Sequence, residues 1–342
     1  MPRGLTRATE QPGLVGSVGP VAITQAPEAK ASVAPSPRSV VSPTARFVAA
    51  DVSFVSPTQG WATGGGHLLR TKDGGATWTA LPRPPAVFAH LTFATPMLGY
   101  ASAAQGSLWL TRDGGYTWVD GKLRLVGDVQ AADGIAWVLA GEGPYPTFYR
   151  SPVGTSAWTA LGYTPNRTAS LDLHGRTAYL MGQEGAGPIA PALGIWTTAR
   201  TTMLVRGVPT PANSAGVPDS PIGVAPDGTL FLVLAVSNNE GPATHQLAYT
   251  SRDQGATWAR TTAPPIEPAD VAAIRGTRFG WNQDLYASRN NGPWTRTLKG
   301  GSDGRFFRRV VFLDDRHGYA LASDGALHLT CDGGRTWRRV RF

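Results

Sequence analysis

The sequence predicts an all-β fold, a seven-bladed β-propeller of four-stranded antiparallel blades, and three observations carry that prediction. A short hairpin motif recurs: TKDGGATW (Thr71–Trp78), TRDGGYTW (Thr111–Trp118), SRDQGATW (Ser251–Trp258) and TCDGGRTW (Thr330–Trp337). Its closing tryptophan falls at regular intervals, with Trp78, Trp118 and Trp158 each 40 residues apart and Trp294 and Trp337 separated by 43. A third pattern, a short apolar strand with a polar first residue, precedes each motif. Repeats of this length match a four-stranded propeller blade, a unit that buries its faces only against its neighbours.

Each motif follows an alternating apolar run such as His67–Arg70 or Ser107–Leu110 and leads into another strand. That is strand, tight turn, strand. The aspartate accepts hydrogen bonds from turn amides, glycine supplies a positive φ, and the tryptophan fills the gap between adjacent sheets. The 100 residues between Trp158 and Trp258 conceal one more repeat, with Gly194–Thr198 as its third strand and Met203–Val205 in place of Thr-Trp. Two motifs are eroded, SPVGTSAW (Ser151–Trp158) and SRNNGPW (Ser288–Trp294), which brings the count to seven. The inner strands start at Asp51, His90, Asp128, Asp270 and Arg309, and second strands follow at Gly60–Ala62, Gly99–Ala101 and Gly318–Ala320. The last strand ends the repeats in phase, so the first blade is expected to pack on the last, assisted by residues 46–49.

The chain of 342 residues contains 42 Gly, 28 Pro and 11 Trp, with charged residues at 16%, a composition suited to many short strands and turns. Residues 1–45 differ, being rich in Pro, Ala, Ser, Val and Thr and without periodicity, and are expected to form a disordered tail or linker, with the propeller spanning 46–342. Arg3 and Arg7 stand where a signal peptide would be charged, but Gly and Pro break up Gly13–Ile23. A leader of this composition suits an exported or envelope-associated domain outside the cytoplasm. No run reaches transmembrane length. The net charge of +8 allows anionic partners, yet arginines are dispersed and lysines scarce, so no nucleic-acid stripe is expected. The single cysteine, Cys331, excludes an intramolecular disulfide and a cysteine metal site.

The S/T-x-D-x-G-x-T-W pattern resembles the Asp-box (BNR, sialidase-type) repeat of β-propellers. The segments Val52–Ala62 and Leu68–Trp78 are similar to photosystem II stability/assembly factor-like propellers and their non-photosynthetic bacterial relatives. That resemblance covers residues 47–342 and implies a non-catalytic exported scaffold that holds a protein or peptide partner on one face. A cell-wall glycan is a further ligand that such a face suits.

Asp73, Asp113, Asp253 and Asp332, with Trp78, Trp118, Trp258 and Trp337, are expected to be structural. Each aspartate sits in its own hairpin at the rim, far beyond the ~2.3–2.6 Å that ligation of one calcium requires. Candidate binding residues lie on the opposite face, where the inner strands begin around the channel mouth: Asp51, His90, Asp128, Ser170, Ser220, Asp270 and Arg309. A wet channel would make the same positions polar without a ligand. Longer loops at 182–193, 207–219 and 237–246, carrying Glu184, Glu240 and His245, are expected on that face.

An enzymatic alternative is a sialidase- or xyloglucanase-like glycoside hydrolase using Asp51, Asp128 and Asp270. Two carboxyl groups at ~5–5.5 or ~6.5–9.5 Å would serve retaining or inverting chemistry. Sialidases place an arginine in an Arg-Ile/Leu-Pro motif ahead of the first Asp box, whereas Arg46 and Arg70 here lie in other contexts. No nucleophile elbow, zinc motif, P-loop or dinucleotide fingerprint occurs, and the six histidines lack ligand spacing. No metal and no cofactor is expected, and a monomer is.

Overall fold

The corner hairpins fold as their side chains dictate. In the computed structural model, Thr71 Oγ1 donates to Asp73 Oδ1 (2.8 Å) and accepts from the Gly75 amide (2.9 Å). Asp73 then accepts from the amide and hydroxyl of Thr77. Gly74 and Gly75 both have positive φ, which L side chains rarely adopt. The same bonds recur around Asp113, Asp253 and Asp332. In the eroded third repeat the Ser151 and Thr155 hydroxyls pair with one another (2.7 Å), and Thr155 also donates to Pro152 O (3.0 Å).

The structure describes residues 47–342 except 142–145, 164–165, 185–189, 200–201, 211–213, 217–220, 239–243 and 301–303. Residues 1–46 lie outside it, as does Arg46 as an aid to closure. Seven antiparallel sheets follow one another along the chain, each of consecutive strands. The first runs Asp51–Phe54, Gly60–Gly64, His67–Thr71, Thr79–Ala80. The inner strands of the next six are Phe88–Phe93, Val126–Ala132, Asn166–His174, Ser214–Gly216 with Ile222–Val224, Asp270–Ile274 and Phe307–Phe312. Six sheets have four strands; the fifth has five because its inner edge is split. The described residues contain no helix, and so none long and apolar enough to cross a membrane.

Three expectations about long loops are corrected. The stretch 182–193 is not a long loop: strand Thr177–Glu184 pairs with Ala190–Thr197 as far as Glu184 opposite Ala190. Likewise Ser214–Gly216 pairs within 207–219, and the strands ending at Asn238 and starting at Thr244 shorten 237–246.

Apolar residues fill the wedges between blades. Trp61 stacks on Phe93 of the next blade (centroids 3.8 Å) while its indole N–H donates to Gly114 O (2.9 Å). Phe279 of the sixth blade stacks on Phe312 of the seventh, and within the third blade Trp137 stacks on Phe148. Trp61, Trp137, Phe148 and Phe279 are fully buried, and burial of such rings contributes to holding sheet against sheet.

The first and last blades meet through side chains. Tyr319 Oη donates to Val52 O (3.3 Å), Arg338 donates to Gly74 O (3.0 Å), and Phe47 packs on Phe342 (4.9 Å). Among the described residues the closing sheet consists of strands Phe307–Phe312, Gly318–Ala322, Leu327–Thr330 and Arg338–Val340.

Candidate functional site

Among the described residues the inner strands of neighbouring blades do not pair with one another, and side chains bridge them. Asp51 Oδ2 accepts from the Leu91 amide of the second blade (2.8 Å) and Ser53 Oγ from the Phe93 amide (2.9 Å). Gln130 Nε2 donates to Leu171 O (2.8 Å), and Asp172 Oδ2 accepts from the Val224 amide (2.8 Å). Blade is thus stitched to blade at the wall of the mouth.

Asp51 is the most heavily bonded of these groups. Besides Leu91 it accepts from its neighbour Val52 (2.9 Å) and from Arg309 Nη1 (3.1 Å to Oδ2, 3.4 Å to Oδ1). The His90 ring nitrogen stands 3.9 Å away, with its side chain largely in solvent. Burial works against charge on Arg309, but Asp51, then Tyr319 and Asp128, outweigh it, so the guanidinium is held above its ordinary range. Burial pushes the neighbouring Tyr319 hydroxyl up to about 12, although Arg309 opposes the shift.

Across the mouth the carboxylates are poorly compensated. Asp270 accepts from the Val271 amide (2.8 Å); its other oxygen meets no hydrogen-bond donor among the described residues. Burial first, then the like charges of Asp172 and Asp128, raise it to about 7, with Arg309 pulling the other way. Asp172 is pushed up to about 6 by burial and by Asp128, despite amide bonds from Val224 and Leu173 and the charge of Arg309. Asp128 is held by Gln130 Nε2 (3.1 Å). Both Asp172 and Asp270 remain half-buried rather than sealed, so solvent reaches them. An aspartate near 7 exists as acid and as anion around neutral pH and can donate as well as accept.

The structure therefore brings together Asp51, Asp128, Asp270 and Arg309, with His90 at the edge. Ser170 lies on the fourth inner strand opposite Met181, but its side chain is not described. Ser220 and Glu240 lie outside the described residues, as do the side chains of Glu184 and His245. Asp172 and Gln130 were missed, each two residues further along its strand than the expected mouth position; their signal was a polar residue repeated at the place of Ser53. A second correction concerns His90, Asp128 and Arg309, which do not open their strands. These begin two residues earlier, with a bulge just ahead of the mouth residue that re-aims it.

The corner aspartates behave oppositely. The hydroxyl and amide of Thr77 and Thr257 draw Asp73 and Asp253 down to about 2. Asp332 also lies at about 2, partial burial opposing the same bonds, and Asp113 is lowered against a similar opposition. Among the described residues no group of three His, Cys, Asp or Glu side chains is placed to hold a metal ion.

A separate hollow of about 380 Å³ opens on the corner face between the first and last blades. In the first blade the residue opposite Trp61 is Arg70, whose guanidinium lies 5.2 Å above that ring. In the last blade the residue opposite Tyr319 is the shorter Leu329, which leaves space bordered by Phe54, Arg338 and the exposed Cys331.

No family model matches the chain. A xyloglucanase from Paenibacillus sp. is 29% identical over 247 residues, which is 68% of this chain and only 21% of that protein. Among solved structures, YCF48 bound to a D1 peptide aligns with TM-score 0.59 at 21% identity, covering 85% of this chain and 94% of that one. YCF48 from Cyanidioschyzon merolae aligns at 0.56 and 18% identity, covering 84% of this chain and 97% of that one. An ancestral GH74 enzyme aligns at 0.60 and 13%, covering 87% of this chain and 47% of that one. At these identities the likeness establishes the propeller fold.

Proposed function

We propose that this protein is a non-catalytic scaffold, related to the Asp-box propellers and acting outside the cytoplasm, that holds a segment of a protein partner at the channel mouth. Residues 1–45 serve as its tether and 46–342 as a monomeric propeller. The observation that carries this reading is the division of the mouth: Asp51 is consumed by two amides and Arg309, while Asp172 and Asp270 are under-compensated with Asp128 beside them. A carboxylate locked in that way is a poor nucleophile or base, whereas a mouth with an acidic wall suits a segment presenting a cationic side chain. A structural neighbour captured with a peptide supports the same use of the fold.

The xyloglucanase match and the elevated carboxyl groups of Asp172 and Asp270 favour a second reading, a glycoside hydrolase in which Asp270 acts as the acid. One experiment separates the two. Capture from an envelope extract is compared for the wild type and the Asp128→Asn/Asp270→Asn variant, beside a hydrolysis screen on xyloglucan and sialosides. A partner retained by the wild type and lost by the variant is expected, with no hydrolysis. Hydrolysis by the wild type that disappears in the variant would overturn the scaffold reading.

A further inference from the structure

The mouth face carries a second feature, outside the channel. Phe306, Val48, Val87 and Leu125 are large apolar residues that stand 42%, 53%, 52% and 45% exposed. They occupy one repeating position, three residues ahead of Arg309, Asp51, His90 and Asp128, on four consecutive blades: seventh, first, second and third. The backbone explains their outward pose. The amide following the second strand donates to this residue's carbonyl in three of the blades, Ser323 to Phe306 (2.8 Å), Ala104 to Val87 (3.1 Å) and Gly141 to Leu125 (3.0 Å). In the first blade Gly64 lies directly against the Val48 carbonyl. With the carbonyl tied inward, the side chain is turned to solvent. On the sixth blade the same position holds the exposed Glu267, so the apolar arc ends there.

Positions related by rotation about the axis of a ring lie at one height along it. The four tips therefore share a plane, standing singly rather than lining a groove. Their charged neighbours are one-sided. Asp120 and Asp324, the acids beside the four tips, are paired with Arg124 (2.7 Å) and Arg305 (3.0 Å), and the exposed Glu267 stands past the end of the apolar arc. Arg83, Lys122 and Arg308 are exposed and have no ion pair among the described residues. The Arg83 guanidinium and the Val87 side chain both border Gly66, so cation and apolar tip stand side by side.

We propose that this lip docks the protein onto an anionic lipid surface, the tips entering the headgroup boundary and Arg83, Lys122 and Arg308 meeting lipid phosphates. A planar array of apolar points among unpaired cations fits a flat, negatively charged partner, and the attraction weakens with salt. This docking uses the lip alone and does not require a segment in the channel.

The test is co-sedimentation of the full chain with vesicles of phosphatidylcholine containing phosphatidylglycerol, against vesicles of phosphatidylcholine alone. Binding to the anionic vesicles, weakened by salt, is expected. The Val87→Ser/Leu125→Asn/Phe306→Ser variant should bind about tenfold more weakly, and so should Arg83→Ser/Lys122→Ser/Arg308→Ser. Asparagine at 125 accommodates the positive φ of Leu125. Tyr116→Ser, an exposed aromatic at a corner, should bind as the wild type does, with thermal melts confirming that every variant folds. The Asp128→Asn/Asp270→Asn variant should also keep vesicle binding, so a failure at the mouth reads out separately. Wild-type protein that ignores anionic vesicles, or lip variants that sediment with them undiminished, would overturn the proposal. So would lip variants that lose a captured protein while vesicle binding is unaffected, which would assign the lip to a protein partner.

Discussion

The corners and the mouth are both built around aspartate, and the corner aspartates are driven in the opposite direction to Asp172 and Asp270 at the mouth. At a corner the carboxylate is near the surface and receives an amide and two hydroxyls from within its own hairpin, as Asp73 does from Thr71 and Thr77, and its acid form is disfavoured. At the mouth Asp172 and Asp270 are ringed by protein and by one another, and the acid form gains. The difference teaches that an aspartate's role in this fold follows from how many donors its surroundings supply rather than from its presence in a repeat. Asp51 proves the point from inside the mouth, since it is nearly inaccessible yet has a full set of partners.

The sharpest way to break this contrast is at Asp51. Asp51→Ala leaves Arg309 without its partner and the Leu91 amide without an acceptor, and should cost about 3 kcal/mol, read from urea unfolding. An unchanged midpoint would mean that Asp51 belongs with its under-compensated neighbours. A smaller loss is expected at a corner. Thr111→Val keeps the shape but strips the Gly115 amide of its acceptor and Asp113 of a donor, for about 2 kcal/mol by the same measurement. Stability equal to wild type would show that the hairpin, not its hydrogen bonds, is what matters.

The subtlest prediction concerns pH. A carboxyl group raised in the folded state contributes stability that is complete below its unfolded value and disappears as pH climbs through the folded one. Asp270 and Asp172 should therefore make the protein lose stability between about pH 4 and pH 7. The corner aspartates run the other way, losing their contribution as pH falls from about 4 to about 2. Melting temperature should peak in mildly acidic solution, and Asp270→Asn should flatten only the upper limb. A variant that instead changes the acid limb would contradict the assignment.

Much of the ring was legible in the sequence because the corners are local. Thr71, Asp73, Gly75 and Thr77 bond within one hairpin, so their spacing survives as a visible pattern, and counting it yields seven blades. The mouth was only partly legible. Its positions could be counted from the strand starts, which located Asp51, Asp128, Asp270 and Arg309. Asp172 escaped because the fourth blade lacks a corner aspartate to fix its phase. The bulges before His90, Asp128 and Arg309 escaped because a bulge is defined by the partner strand, not by its own residues. The lip residues escaped for a simpler reason: one apolar residue per blade in a connecting segment resembles ordinary composition until the ring sets four of them level.

One feature of the closure reaches beyond the site. Among the described residues every sheet is made from a single stretch of chain, and no strand is shared between the first and last blades. The annulus is clasped rather than woven. Parting it along the Tyr319–Val52 and Arg338–Gly74 contacts severs no backbone ladder, and the hollow beside Leu329 already thins the wall there. Under force or heat, that clasp is the seam along which a doughnut of seven sheets becomes a crescent.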